Sequence, residues 1–526
     1  MRRHFPFMIL LVVVAVSRIA ILLTSQTHVH SDEAIIGLMG KHIMEGLNYP
    51  FYMYGQPYNA CAAWEAYLAA SIFAIFGVGV IQLKSCSVAV SLLILVFFYR
   101  TVSQLYGQQT AWWSSLVLAL LPTLLKWDFQ VRGYSFYFLA IPILTGFFFS
   151  IESGGVLNAR KFFIFGLVSG LSVWCLELIL PLVAAFWTLL ALRRLLSVKN
   201  SMVGLSGCFI GYLPAIIYNM THHFESWHRV FVEKTGTPSH LFDLSTFAHI
   251  LVLELPKFFG PDTVLWYYPE TSLVGWTFYG ITIAAVIAAV APFINAPSKL
   301  KNVLGPKATQ DDEHKDLLVF ILMLACLVPY LTASNRVPSY FFGGCFFFSM
   351  LIGRLLCRCF ASLSAMKRGL GIVLLLMALT GGIVAEVQTA SHNEIETLGL
   401  DQSAQSFQME RIPGADMDGV EHYLAQENIS ATWATMSLVY PLIFETNEKL
   451  AVSGGIFGFQ PKVYPATVPR RLPDSDLCEV FVVETDSPYL PIVEARCAKA
   501  GAAPALVTQF GALTVVEAKR AGVPGR

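Results

Sequence analysis

Charged residues are scarce in this sequence of 526 residues, making up 13%, about half the share of a typical soluble protein. The 35 basic and 35 acidic residues cancel, so there is no basic surplus that would indicate binding to nucleic acid. Hydrophobic residues make up 55%. Apolar runs long enough to cross a bilayer core of about 30 Å recur between residues 6 and 387. The sequence therefore predicts a polytopic α-helical membrane protein and excludes a soluble enzyme.

Cysteine gives little sign of a disulfide framework. The chain has 10 cysteines, and most lie in or beside apolar segments, where packing is their ordinary role. Cys478 and Cys497 lie in the polar C-terminal region. They are a candidate disulfide if that region is extracytoplasmic.

The basic residues between the apolar runs set the predicted topology. Loops rich in Lys and Arg stay in the cytoplasm, so clusters such as Arg100, Arg160/Lys161 and Arg193/Arg194 belong on that side. They alternate with basic-poor connections if about eleven helices cross the membrane, with the N-terminus inside and the C-terminus outside. The predicted spans cover residues 6–24, 81–100, 111–127, 133–150, 161–176, 177–192, 201–219, 272–294, 317–333, 338–356 and 369–387.

The first external loop, about residues 25–80, is predicted to contain two interfacial helices rather than spans. Residues 60–77 are apolar enough to cross, but counting them as a span would place most basic clusters outside. Residues 31–45 have an apolar stripe at helical spacing. Ser31 is the predicted N-cap of that helix, and Gly46 is its predicted terminator.

The character of the sequence changes at about residue 390, where charge rises and Pro and Gly become frequent. Four segments have the composition of short strands, with a helix at 437–446 between the first two. We expect a membrane domain over 1–389 and a small extracytoplasmic α/β domain over 390–526. The predicted strands are 431–435, 449–454, 480–484 and 513–518.

Asp32 and Glu33 form an acidic doublet directly after the first apolar run. A carboxylate at mid-bilayer costs about 2.5–3.5 kcal/mol, and the predicted spans largely avoid one. Acids in the external loops favour an enzyme, because a transporter has its ionisable groups near the midplane. Acids in a first helical turn also stabilise the helix by about 0.3–1 kcal/mol, so a structural role is equally open and compatible with catalysis.

Other candidate residues flank later apolar segments. Asp128 and Arg132 are four apart near the outer end of the third predicted span, a spacing that allows an ion pair on one helical face. Arg132 could instead bind a phosphate with its planar fork. Arg336 and Tyr340 lie just outside a later span, and Glu65 is the lone charge of its apolar segment.

Metal binding stays open at this point. His28 and His30 precede the doublet and could ligate a divalent metal. Without a clear third ligand, however, the pattern favours two solvated loop histidines. No cofactor is predicted with certainty.

The set of motifs resembles a known family. The first external loop opens with Asp-Glu and continues into "MYGQPYNACAAWEAYLAASIFAIFG". Arg-x-Tyr follows in "VRGYSFYFLA", then "GLSVW", and "NRVPSYFFGGCFFFSMLIG" stands near the last spans. Over about residues 1–390 the chain is similar to the GT-C membrane glycosyltransferases. The resemblance is to the protein O-mannosyltransferase and aminoarabinose-transferase-like group with its bacterial relatives.

The resemblance implies transfer of a sugar, with inversion, from a polyprenyl-phosphate donor to a glycan, lipid or protein acceptor outside the bacterial inner (plasma) membrane. Asp32 corresponds to the loop-one acid of the family, the expected catalytic base, with Glu33 beside it. The second charged region corresponds loosely to Asp128 and Arg132, followed by Tyr134. Relatives often have a Pro-Pro pair in the first loop, where this sequence has "GQPYN".

One catalytic carboxylate suits this chemistry. A polyprenyl phosphate leaves without protonation, so a single base is enough, whereas glycosidases use two carboxylates. Arg132 or Arg336 would stabilise the departing phosphate. Two alternatives remain open: a lipid-linked sugar transporter, flippase or polysaccharide ligase-like protein, and a structural subunit whose C-terminal domain binds glycan.

Overall fold

The computed structural model describes residues 4–24, 28–54, 63–153, 158–231, 248–260, 272–296, 311–332, 338–391, 395–401, 406–412, 416–453, 480–485, 493–495, 497 and 502–520. The chain divides into two compact units. Unit 1 comprises Met1–Ile21, Tyr58–Ala62 and Ser87–Ala390. Unit 2 comprises Leu22–Pro57, Ala63–Cys86 and Ser391–Arg526, so the first loop groups with the C-terminal residues.

Helices make up most of the described structure, and eight of them are long and apolar enough to cross a membrane. These eight are α1, α4, α7, α10 and α13 to α16 in the numbering that follows. The helices are α1 (Phe5–Thr24), α2 (Ser31–Met44), α3 (Trp64–Phe76), α4 (Val80–Tyr106), α5 (Gln108–Leu120), α6 (Pro122–Leu125), α7 (Ser135–Glu152), α8 (Ala159–Cys175), α9 (Leu180–Leu192), α10 (Val198–Thr221), α11 (Glu225–Phe231), α12 (Leu255–Phe258), α13 (Leu273–Ile294), α14 (Asp312–Thr332), α15 (Gly344–Ala361), α16 (Ala365–Ser391), α17 (Met417–Gln426) and α18 (Met436–Glu445). The chain is therefore a multi-pass membrane protein.

Three of the predicted spans correspond to shorter helices. The predicted spans at 111–127, 161–176 and 177–192 correspond to α5 with α6, to α8 and to α9. Helices α5, α8 and α9 have 13, 17 and 13 residues, whereas a straight crossing needs about 20. Helix α5 stops at Leu121, which is extended because a residue before proline is disfavoured in the helical region. The predicted number of eleven spans is not confirmed.

Glycines bring α8 and α10 into close contact within unit 1. A Cβ atom at Gly170 of α8 would lie 2.1 Å from the carbonyl oxygen of Cys208. One at Gly207 of α10 would lie 2.3 Å from the carbonyl oxygen of Phe163. Small residues spaced along a membrane helix permit this backbone-to-backbone packing, which stabilises helix pairs in lipid.

Unit 2 contains a mixed five-stranded sheet of order β4-β3-β5-β7-β6. Strands β3, β4 and β5 are parallel, while β7 pairs antiparallel with β5 and with β6. A separate antiparallel pair is formed by β1 and β2. The strands are β1 (Ile395–Asp401), β2 (Ser406–Ile412), β3 (Ala431–Ala434), β4 (Ala451–Ser453), β5 (Val480–Glu484), β6 (Ala502–Phe510) and β7 (Leu513–Arg520).

The four predicted strands of the C-terminal region are confirmed as β3, β4, β5 and β7, and the predicted helix is confirmed as α18. Strands β1, β2 and β6 and helix α17 were not predicted from the sequence. Strand β6 contains Pro504 and an irregular register beside it, which an edge strand tolerates because its proline need not donate to the ladder. Cys478 lies outside the described residues, so the disulfide with Cys497 stays a prediction.

Both predicted helices of the first loop are confirmed as α2 and α3. Helix α2 is more enclosed than its apolar stripe predicts, because residues 33–42 are all buried. Gly40 packs against Ala69 of α3, and Gly37 packs against the ring of Phe444 of α18. The predicted terminator is also confirmed: Gly46 has φ +72°, and its N–H bonds to the Ile43 carbonyl.

Candidate active site

The N-terminus of α2 is closed by a capping box. Nδ1 of His30 accepts the N–H of Asp32 at 3.1 Å, and the carboxylate of Glu33 accepts the N–H of His30 at 2.9 Å. The prediction that Ser31 is the N-cap is wrong, since Ser31 is the first helical residue and His30 is the cap. The imidazole of His30 thus takes the place of the usual cap hydroxyl, and the Ser31 side chain bonds elsewhere.

Ser31 joins α2 to α18. Its hydroxyl donates to the carbonyl oxygen of Ser437 at 3.0 Å. That carbonyl would normally accept the N–H four residues on, but this residue is Pro441, which has none. Ser31 therefore satisfies a carbonyl that proline leaves open.

The acidic doublet separates into two different environments. Glu33 is 2% exposed, and its two carboxylate oxygens lie 3.0 and 3.1 Å from Nζ of Lys84. The Asp32 side chain is 28% exposed, and its carboxylate lies 3.9 Å from Nδ1 of His30. That distance is too long for a hydrogen bond. Asp32 is thus the acid that solvent or a substrate can reach, while Glu33 is held inside unit 2.

Lys84, the partner of Glu33, was not predicted as a site residue from the sequence. It lies near the start of a predicted span and is only 5% exposed. A lone lysine in an apolar helix was the available signal, because such residues are kept for a partner or a task. Glu65, in the first turn of α3, is also buried in unit 2, at 2% exposure.

The two histidines are not solvated, contrary to the sequence-based interpretation. The side chains of His28 and Glu445 are 9% and 7% exposed, and Nδ1 lies 3.5 Å from Oε2. Burial lowers the pKa of His28, but the hydrogen bond and charge of Glu445 and the charge of Asp418 outweigh it, and the pKa is raised. Among the described residues, no three His, Cys, Asp or Glu side chains are grouped to hold a metal ion.

Glu421 of α17 completes a small acidic cluster around Glu445. Burial, the charge and hydrogen bond of Glu445, and the charge of Asp418 raise the pKa of Glu421 to about 8. At neutral pH the Glu421 carboxyl is therefore mostly protonated. This cluster joins α17 and α18 just behind the residues that precede Asp32.

The raised pKa of Glu421 predicts a pH-dependent stability. Folded unit 2 binds this proton more tightly than the unfolded chain between the usual value of 4.5 and about 8. The free energy of unfolding therefore falls as pH rises through that range. Glu421→Gln, which keeps the neutral form, should flatten this fall and raise the melting temperature above pH 8 by roughly a few degrees. Thermal unfolding of the full chain in detergent measures both, with the exposed Glu427→Gln as control. Equal slopes for Glu421→Gln and wild type would contradict the raised pKa of Glu421.

In unit 1, Asp128 pairs with Arg18 instead of Arg132. Arg18 is 1% exposed; its Nε lies 2.8 Å from Oδ2 of Asp128 and its Nη1 lies 2.7 Å from Oε1 of Glu386. The predicted helical pair is wrong because the 3₁₀ turn Lys126–Phe129 ends before Arg132, and Gln130 is extended.

The other candidates of unit 1 lie around the same turn. Arg132 is 5% exposed and precedes Gly133, whose φ of +82° favours glycine. Tyr134 is also buried, with its ring 4.9 Å from that of Trp127. Tyr340 is half-buried in the turn Pro338–Phe341, and Arg336 lies outside the described residues. Asp128, Arg132 and Tyr134 thus share one short segment.

A narrow cleft opens beside the ion pair of Arg18 and Asp128. Its remaining walls are largely apolar and come mainly from α1, α4 and the segment 118–127, with Phe138 and Phe346. Two carboxylates face one guanidinium at this place, so the polar end of the cleft is unfavourable for a phosphate and the walls suit a hydrocarbon chain.

The architecture is the GT-C fold of membrane glycosyltransferases. ArnT from Cupriavidus metallidurans bound to undecaprenyl phosphate superimposes with a TM-score of 0.61 at 14% identity, over 99% of each chain. The apo state of ArnT from Cupriavidus metallidurans gives 0.62 at 13% identity over 97% of each chain. The oligosaccharyltransferase AglB from Archaeoglobus fulgidus, in complex with an inhibitory peptide and a dolichol-phosphate, gives 0.50 at 11% identity over 92% of this chain and 70% of that chain.

No protein-family model matches the sequence, and no curated protein matches it either. At these identities the similarity establishes the fold alone, and the GT-C resemblance of the motifs is confirmed at that level.

Proposed function

We propose that the protein is a glycosyltransferase that moves a sugar from a polyprenyl-phosphate donor to an extracytoplasmic glycan, lipid or protein acceptor, with inversion. One observation supports this most directly: Asp32 is an accessible carboxylate, whereas the adjacent Glu33 is bound by Lys84 and His30. A helix that fixes one acid and leaves its neighbour open to solvent is suited to present a general base. The GT-C fold, which the chain has in common with ArnT and the oligosaccharyltransferase AglB, supports the proposal.

Asp32 takes the proton of the acceptor hydroxyl or amine as that group attacks the anomeric carbon. The new glycosidic bond forms as the bond to the phosphate oxygen breaks, and the electron pair leaves with the phosphate. A single displacement without a covalent intermediate inverts the anomeric centre. The reaction needs no second carboxylate as a general acid, because the phosphate departs as an anion without being protonated.

Arg132 and Arg336 are proposed to stabilise the charge that develops on the departing phosphate. Tyr134 and Tyr340 are proposed as neighbouring substrate contacts, and the apolar cleft as the site of part of the prenyl chain. Undecaprenyl phosphate and dolichol-phosphate are bound in the ArnT and AglB structures, which supports a lipid phosphate here. The proposed topology has the N-terminus in the cytoplasm and residues 390–526 outside, in a bacterial inner membrane.

A lipid-linked sugar transporter is the second candidate. The observation that favours it is Arg18, which is 1% exposed within the apolar helix α1 and bonded to Asp128 and Glu386. Ionisable groups inside membrane helices are typical of transport pathways. The proposed base Asp32 would then have no essential part.

The products decide between these candidates. Mass spectrometry of envelope lipids and glycans from cells with and without the gene should show an accumulating polyprenyl-phosphate sugar and an under-decorated acceptor when the gene is absent. A transferase changes covalent linkages, whereas a transporter changes only which leaflet contains the lipid. Purified protein in liposomes that moves the lipid-linked sugar across the bilayer, with no new covalent product, would contradict the proposal.

A further inference from the structure

We propose that the C-terminal domain positions the catalytic base, with Glu445 of α18 as the positioning residue for the segment that leads into Asp32. This inference rests on the proposed function, because the role of Asp32 is itself proposed. It assigns the C-terminal domain a mechanical task instead of glycan binding. All the contacts that support it lie inside unit 2.

Helix α18 and the turn that follows it contact α2 at three levels. At the first turn of α2, Ser31 bonds to the carbonyl of Ser437. At the middle, the ring of Phe444 occupies the space that a Cβ at Gly37 would need, at 2.5 Å. Beyond the end of α18, Glu448 lies 2.5 Å from Nζ of Lys41 and 3.2 Å from Nε2 of His42, both in the last turn of α2. The helix that presents Asp32 is thus held along its whole length.

Glu445 holds the residues immediately before the helix. Its Oε1 accepts the N–H of Val29 at 3.2 Å, while its Oε2 lies 3.5 Å from Nδ1 of His28. One carboxylate therefore contacts two consecutive residues, His28 and Val29, which we call the entry segment. The capping box bonds the next amides, at His30 and Asp32. The path of the chain into Asp32 is bonded at nearly every step.

The charges around His28 make its contact with Glu445 sensitive to pH. Glu445 faces it from α18, Asp418 acts on it from α17, and Lys84 of α4 opposes them. Lys84 is itself paired with Glu33 of α2. Beside Glu445, Glu421 ionises as pH rises through about 8. The charged pair of His28 and Glu445 is present at lower pH and is lost as His28 deprotonates. Deprotonation of His28 and ionisation of Glu421 therefore both weaken the hold of Glu445 on the entry segment at high pH.

Weakening the contacts of Glu445 with His28 and Val29 should lower kcat more than it lowers the free energy of unfolding. Misplacement of a reacting group by about 1 Å can reduce the rate by a factor of about 10². The Glu445 side chain makes its bonds to the entry segment, while the sheet and the apolar face of α18 continue to hold the domain together. Transfer therefore falls before the domain unfolds.

The test compares Glu445→Ala, which removes both bonds to the entry segment together with the hydrogen bond to Glu421, with Glu445→Gln, which keeps an acceptor for the Val29 amide but removes the charge. The exposed Glu427→Gln on the same domain is the matched control. Hydrogen exchange of the full chain in nanodiscs, measured on a peptide that covers residues 28–31, reports how firmly Glu445 holds the entry segment. It requires no assay of activity. Steady-state transfer gives kcat, KM and the pH profile.

For Glu445→Ala we expect exchange at the Val29 amide to accelerate at least about tenfold and kcat to fall about tenfold or more with KM little changed. Glu445→Gln should restore most of the exchange protection and should weaken the loss of rate between about pH 7 and 9. Unchanged exchange in Glu445→Ala, or a full kcat despite faster exchange, would overturn the positioning role. If Glu445→Ala does not fold, the pH profile of Glu445→Gln alone decides, and a profile identical to wild type rejects the inference.

The two proposals fail in different ways. If wild type transfers no sugar, the proposed function fails, while the exchange measurement still reports whether Glu445 fixes the entry segment. If wild type transfers sugar but the Glu445 variants match Glu427→Gln, the function stands and the positioning role is rejected.

Discussion

Asp32→Asn should abolish sugar transfer while leaving the protein folded and inserted. Loss of a general base lowers kcat by a factor of about 10²–10⁴, because the amide cannot accept the proton of the attacking group. The side chain is 28% exposed and its carboxylate lies 3.9 Å from Nδ1 of His30, so the substitution breaks no strong contact. The stability change should stay within about 1 kcal/mol, the size of a helix-dipole interaction.

The measurement is transfer to acceptor in membranes or nanodiscs, together with elution from a sizing column and thermal unfolding in detergent. Glu45→Gln is the matched control, because Glu45 caps the opposite end of the same helix and is 38% exposed. It should transfer at the wild-type rate. Near-normal turnover by Asp32→Asn would reject Asp32 as the base and favour the transporter interpretation.

The fold could be predicted from the sequence wherever the signal is local. Length and hydropathy located the long membrane helices, and short β-branched runs such as 480–484 located the sheet. Helix α2 was predicted from its apolar stripe and its end from Gly46, whose backbone conformation depends only on neighbouring residues. Helices α5, α8 and α9 show the limit of this approach, since hydropathy does not report where a proline or a turn interrupts a span.

The partners of the candidate residues could not be predicted, because they are distant in sequence. Asp128 bonds to Arg18 across 110 positions instead of to Arg132 four positions away. Ser31 does not cap α2; its hydroxyl donates instead to the carbonyl of Ser437, 406 positions away, which has no N–H partner at Pro441. Composition and spacing identify residues that need partners, but tertiary packing decides which partners they find.

The acidic doublet illustrates both points within two residues. From the sequence, Asp32 and Glu33 were equivalent as helix-stabilising acids, and only the family resemblance distinguished them. The structure separates them by burial, since one side chain points to solvent and the other to Lys84. The role of Glu33 as a substrate contact stays a prediction, and its contacts indicate that it fixes the geometry around Asp32.

Glu33→Gln should therefore have the opposite effect to Asp32→Asn, with stability lost before chemistry is affected. The glutamine still accepts the His30 N–H, but the Lys84 ammonium, 5% exposed, loses its counter-charge. Breaking one side of a buried ion pair costs about 3–5 kcal/mol, because an uncompensated charge remains in an apolar site. Thermal unfolding and the folded yield after detergent extraction measure this loss, with the neighbouring Asp32→Asn as the matched control.

The double variant Glu33→Gln/Lys84→Met isolates the charge effect. Removing the ammonium together with the carboxylate leaves no buried charge, so most of the lost stability should return, and the two substitutions should be strongly non-additive. Transfer should recover with stability if Lys84 serves only to hold Glu33. Recovery of stability without transfer would show that Glu33 or Lys84 also acts on the substrate. Glu33→Gln as stable as Asp32→Asn would contradict the assignment of Glu33 as the buried member of the doublet.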